Sequence, residues 1–156
     1  MKFSSREDID APIDRVFAGV TDFAAFERQT LRRGANVRRV DEREPPGVGS
    51  AWDVSFRYRN KDRNLRATIL RLDRPEDLSV AIRLAGLEGS FDVTLVPLAP
   101  GRTRIVASLD LSAKSLTARL LLQSLKLAKS NLNNRFSKRL AEFAANMQPR
   151  ATGRTG

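Results

Sequence analysis

Residues 50–59 read SAWDVSFRYR, and the way they alternate decides the fold. Trp52, Val54, Phe56 and Tyr58 take turns with Asp53, Ser55, Arg57 and Arg59. A period of two places the first set on one face of a β-strand and the second on the other. Working outward, Val80, Ile82 and Leu84 alternate with Ala81 and Arg83, and Phe91, Val93 and Leu95 alternate with Asp92 and Thr94. This period persists from 35 to 112, interrupted by turn-forming residues at 45–47, 60–64, 74–77, 85–89 and 99–102. The runs 35–44, 50–59, 65–73, 78–84, 90–97 and 103–111 are therefore expected as hairpin-connected antiparallel strands, one face wet and one covered.

Outside this region the pattern changes. Phe3, Ser5, Glu7 and Ile9 share one face of a further strand. Pro12 is suited to a helix start, and Ile13, Val16, Phe17 and Val20 follow at helical spacing. A second short helix carries Phe23, Phe26 and Leu31 and ends at Gly34. Residues 115–147 contain neither Gly nor Pro and line up Leu121, Leu125, Ala128, Leu132, Phe136, Phe143 and Met147, which predicts one long helix covering the sheet. The expected architecture is α+β: a seven-stranded antiparallel curved sheet wrapped around a long C-terminal helix, with two short helices between strands 1 and 2. One domain over 1–147 and a disordered tail over 148–156 complete the expectation.

The order of elements is that of the helix-grip fold. IDAPIDRVFAGVTDFAAF (9–26) resembles the opening of the START-like SRPBCC superfamily, GVGSAWDVSF (47–56) its glycine-marked entry to the third strand, and LRLDRPEDLSVAI (70–82) its proline turn. The resemblance spans 2 to about 147 and implies a cavity between sheet and helix for an apolar or amphipathic small molecule. Its members include lipid carriers, polyketide cyclase/dehydrases, ring-hydroxylating oxygenases and co-chaperone activators of ATPases. The oxygenase iron site does not carry over, because this chain has no histidine.

Composition excludes further chemistry. With 156 residues and no Cys or His, there is no disulfide, thiolate nucleophile, Ser-His-Asp triad or His-ligated zinc. Catalysis would fall to carboxylates, Lys, Arg, Tyr58 or hydroxyls, so binding is favoured over catalysis; no catalytic residue, metal or cofactor is assigned. Gly47-Val48-Gly49 lacks the rest of a dinucleotide fingerprint and reads as a turn. Charge at 2–10 and the absence of an apolar leader or spanning run point to a cytoplasmic protein.

The formal charge of +10 is unevenly placed. Residues 1–113 hold nineteen Lys and Arg against seventeen Asp and Glu, whereas 114–147 hold seven against Glu142 alone. An anionic surface is thus expected to meet Arg119, Lys126 and Lys138. Specific nucleic-acid binding is not expected, because the aromatics lie on the covered face, away from the cations. Leu116, Leu120 and Leu127 form a second strip on the long helix beside the basic residues; the resemblance to the helix-grip fold implies that the short helices bury it.

The ligand-lining residues expected from inward parity are Trp52, Phe56, Tyr58, Ile82 and Phe91 on the sheet, facing Leu121, Leu125 and Leu132 on the helix. The same residues would also serve as an ordinary core. Glu7 and Lys129, with Tyr58, are the polar groups placed near such a ligand; a rim ion pair or extended side chains would account for the first two equally. The alternatives to ligand carriage are a cyclase/dehydrase-type enzyme using the same cavity and an adaptor meeting an acidic partner or membrane through its basic helix.

Overall fold

The computed structural model describes residues 1–148. The chain runs β1 (Lys2–Ile9), α1 (Ile13–Val20), α2 (Phe23–Arg32), β2 (Asn36–Arg39), β3 (Ala51–Tyr58), β4 (Lys61–Asp73), β5 (Asp77–Leu84), β6 (Leu87–Ala99), β7 (Arg102–Ala113), α3 (Leu116–Leu127) and α4 (Lys129–Met147). All seven strands form one antiparallel sheet in the order β1-β7-β6-β5-β4-β3-β2. Closing the meander with β1 beside β7 places α1 and α2 at one side of the covered face. The tail expected over 148–156 lies, beyond Gln148, outside the described residues.

The alternation in the sequence becomes two chemically different faces. Inward, Phe3, Ile9, Trp52, Val54, Ile69, Leu78, Val93, Leu95, Ile105 and Ala107 are buried, joined by Val16 and Phe17 of α1 and Leu140 and Ala144 of α4. Outward, Arg104 binds Asp8 through Nε at 2.8 Å and Nη2 at 3.1 Å, and Arg66 and Arg38 converge on Asp53. Cross-strand ion pairs therefore occupy the wet face, as both charge signs on neighbouring strands require.

The expected boundaries need several corrections. The β3–β4 and β5–β6 connections are two-residue turns, Arg59-Asn60 and Ala85-Gly86, each with both residues at positive φ. This geometry matches hairpin twist, so β4 and β6 run longer than expected. β2 is only four residues, because Asp41 bends the chain back: it accepts hydrogen bonds from Arg39, from the Ser50 hydroxyl and from the backbone N–H groups of Arg43 and Ala51.

The single long helix is also corrected, to two helices divided at Ala128 (φ −101°, ψ 13°). Its N–H reaches back three residues to Leu125 O at 3.1 Å, tightening the last turn of α3. Ser130, Asn131, Asn133 and Asn134 follow, residues with little helix preference, so a break costs little here. The result is that α4 packs along β1 whereas α3 rests on the end of β6 and β7.

Candidate ligand cavity

A cavity of about 540 Å³ lies between the sheet and helices α1, α2 and α4. Leu78, Phe91, Val93, Ile105 and Ala107 form its floor; Phe136, Leu140, Phe143 and Met147 supply the α4 wall, and Val20, Ala25 and Phe26 the wall opposite. Phe136 is the hinge of this packing, with ring centroids 6.4 Å from Phe3 and 6.5 Å from Phe91. At one end Gly19 lets the last turn of α1 close on Met147 and Phe143, since a Cβ there would collide with the Met147 sulfur. Polar groups gather where α2 faces α4: Asp22, Gln29, Arg139 and Asn146. All four are exposed, so the cavity opens to solvent on this side. The Asp22 carboxylate is already engaged, accepting the Ala25 N–H at 3.1 Å as the cap of α2. Arg139 makes no ion pair among the described residues.

Of the ten residues expected to line a ligand site, Phe91 borders this cavity and the other nine do not. Trp52 is buried, but its partners lie to the side: Phe23 packs on it at 5.2 Å, the Arg39 guanidinium sits 5.1 Å from the ring, and its Nε1 donates to Glu27 Oε2 at 2.7 Å. Phe23, Glu27 and Arg39 in turn line a smaller cleft of about 330 Å³ between α2 and the loop after β2. Phe56, Ile82, Leu121, Leu125 and Leu132 are half-buried, on β3, β5, α3 and the first turn of α4.

The expected polar groups are likewise dispersed. Glu7 is half-buried on β1 opposite Ile105, and Lys129 is exposed at the first turn of α4. Tyr58 stands at a hairpin end with the guanidinium of Arg59 5.5 Å and that of Arg63 5.7 Å from its ring. This aromatic, contrary to the expectation of separated aromatics and cations, is surrounded by positive charge.

The cavity residues that the sequence reading missed come from two sources. Phe136, Phe143 and Met147 were on the recognised helical stripe, and Val20 and Phe26 on the short helices; what was missing was that the stripe's second half faces the short helices. Arg139, Gln29 and Asn146 carried no signal at all. Arginine pairing holds the Asp8 and Asp53 carboxyls below their usual value on the outer face, and Asp41 is held well below it, first by Arg39 and then by the Ala51 N–H and Ser50 hydroxyl.

Comparison with known proteins agrees with this geometry. Several solved structures share the fold. Protein TTHA0849 from Thermus thermophilus superposes with a TM-score of 0.67 at 14% identity, covering 94% of this chain and 97% of its own. Protein CV1439 from Chromobacterium violaceum gives 0.64 at 17%, with 96% and 99% covered. The Zhui aromatase/cyclase from Streptomyces sp. R1128 gives 0.65 at 13%, with 94% and 93% covered. At such identities the likeness is one of fold. No curated protein matches the sequence. The family model described as polyketide cyclase/dehydrase and lipid transport matches residues 1–148. With that match running from the first strand through α4, the chain belongs to the polyketide cyclase/dehydrase and lipid transport family, of the SRPBCC type.

Proposed function

We propose that this protein binds a small amphipathic molecule in the cavity between α2 and α4, its apolar body among Phe91, Phe136 and Phe143 and its polar, preferentially anionic end at Arg139. The observation that carries the reading is the cavity itself: about 540 Å³, walled by aliphatic and aromatic side chains and rimmed by a few polar groups on one side. That volume and that division of lining are those of small-molecule sites. Family membership and the fold shared with an aromatase/cyclase support a ligand-holding role without naming the ligand. Apolar burial would drive entry, and a cation at the mouth with no ion-pair partner among the described residues favours an acid over a neutral head group.

The test uses two probes, anionic anilinonaphthalene sulfonate and neutral Nile red, in equilibrium fluorescence titrations. Both are expected to bind saturably. Ala25→Trp, which fills the cavity from its rim, should weaken both by about tenfold, equivalent to 1.4 kcal/mol. Arg139→Gln should weaken the sulfonate alone. The reading is overturned if the protein takes up neither probe, or if Ala25→Trp binds both as the parent does.

A further inference from the structure

α3 is apolar on two opposite sides. At 100° per residue, Ala118 and Leu125 project toward the sheet, while Leu116, Leu120 and Leu127 fall within about 40° of one another on the reverse side. The inner side is accounted for: Ala118 is buried, Leu121, Leu122 and Leu125 are half-buried, and Ser115 and Ala118 pack on Gly86 of the β5–β6 turn. The outer side is not. Leu116, Leu120 and Leu127 are 75%, 63% and 92% exposed, which corrects the expectation that the short helices bury them. A two-sided apolar helix is ordinarily one that has something on both sides.

The charge around this strip says what covers it. Arg119 and Lys126 flank the leucines along one edge, Lys114 precedes them, and no Asp or Glu occurs between Asp110 and Glu142. The β3–β4 hairpin projects from the same end of the sheet, running on past the Arg66–Arg83 pair where β5 ends. It adds Arg59, Lys61 and Arg63, while Asp62 is taken by Arg57 at 3.0 Å. The ridge holds one polar residue, Gln123, and its cations lie beside the leucines rather than among them. A bilayer surface accepts such a ridge at the acyl boundary and rewards the adjacent cations with anionic head groups. No described helix is long and apolar enough to cross a membrane, so the contact is interfacial.

We propose that α3 docks this end of the molecule on an anionic lipid bilayer, with Leu116, Leu120 and Leu127 entering the interface and Lys114, Arg119 and Lys126 meeting lipid phosphates. The surface is separate from the cavity and does not depend on what the cavity holds.

Flotation with vesicles of phosphatidylcholine, alone or mixed with phosphatidylglycerol, tests it. Binding is expected to the mixed vesicles, to fall steeply from low to moderate salt, and to drop about tenfold in Arg119→Gln/Lys126→Gln and in Leu120→Ser/Leu127→Ser. All four side chains are exposed, so circular dichroism and melting should be unchanged. As a second readout, Leu127→Trp should shift its emission to the blue on mixed vesicles; the only native tryptophan, Trp52, is buried. Probe uptake by the cavity should be the same in both double variants, so the two readings fail separately. Three outcomes overturn the proposal: no flotation at low salt; flotation indifferent to the leucine double variant, as for mere attraction to any acidic polymer, with polyglutamate as control; or a solution dimer abolished by Leu120→Ser/Leu127→Ser, which would make a second copy the cover.

Discussion

Gly86 shows how much one atom decides in this molecule. It holds φ +88° in the β5–β6 turn, and an added Cβ would stand 2.5 Å from Ser115 Oγ and 3.2 Å from Ala118 Cβ. Gly86→Ala would therefore incur left-handed strain and push on the hydroxyl that caps α3 by accepting the Ala118 N–H at 3.1 Å. A loss of about 2–3 kcal/mol is expected in denaturant unfolding, with Ser115→Ala alone costing about 1 kcal/mol; equal stability of Gly86→Ala and the parent would show that the turn relaxes freely. At this scale the sequence was partly legible. The inward direction of Trp52 followed from parity, a purely local property. That Phe23, Glu27 and Arg39 would enclose it, leaving the cavity to Phe91 and Phe136, depends on where a helix from elsewhere in the chain lands, and no local pattern records that.

The two C-terminal helices differ in how firmly they are held. α4 buries Leu140 and Ala144 and lays Phe136 between Phe3 and Phe91, whereas α3 buries Ala118 alone and is held mainly at one end of the sheet. Local opening follows buried contact, so amide exchange should protect the middle of α4 to near the global stability and release α3 earlier, with Ser115→Ala accelerating α3 but leaving α4 unchanged. Uniform protection from 116 to 147 would mean the pair behaves as the continuous helix that the Gly- and Pro-free sequence suggests. The division at Ala128 was illegible because the apolar spacing hardly changes there. Periodicity reports which residues share a face; it does not report whether that face has run out of sheet. The strands were legible for the complementary reason, since an antiparallel strand with one wet face writes its period directly into the chain.

For the molecule as a whole, the charge inventory and the folded ion pairs together fix how stability responds to pH. With no histidine, no side chain of ordinary titration changes charge between about pH 5 and 8, so melting temperature should be flat there. Below that range the carboxylates of Asp8, Asp41 and Asp53 matter, each held below its unfolded value by arginine, with backbone donors added at Asp41. A carboxyl depressed by folding contributes stability that is complete above its unfolded value of about 4 and is lost as pH falls through the folded one. Melting temperature should accordingly decline below about pH 4. The partner arginines are raised further from an already alkaline value and add no limb in the accessible range. A competing cause exists, because protonating acids on a chain already at +10 also increases self-repulsion. The two are separable. Repulsion is screened by salt and is little affected by one residue, whereas Asp41 ties Arg39, Arg43, Ser50 and Ala51 together at short range. Asp41→Asn should melt lower than the parent at pH 7, with the gap narrowing steadily as pH falls below about 4, in high salt as in low. Parallel curves across the whole range would assign the acid limb to net charge and leave the Asp41 cluster without a role in it.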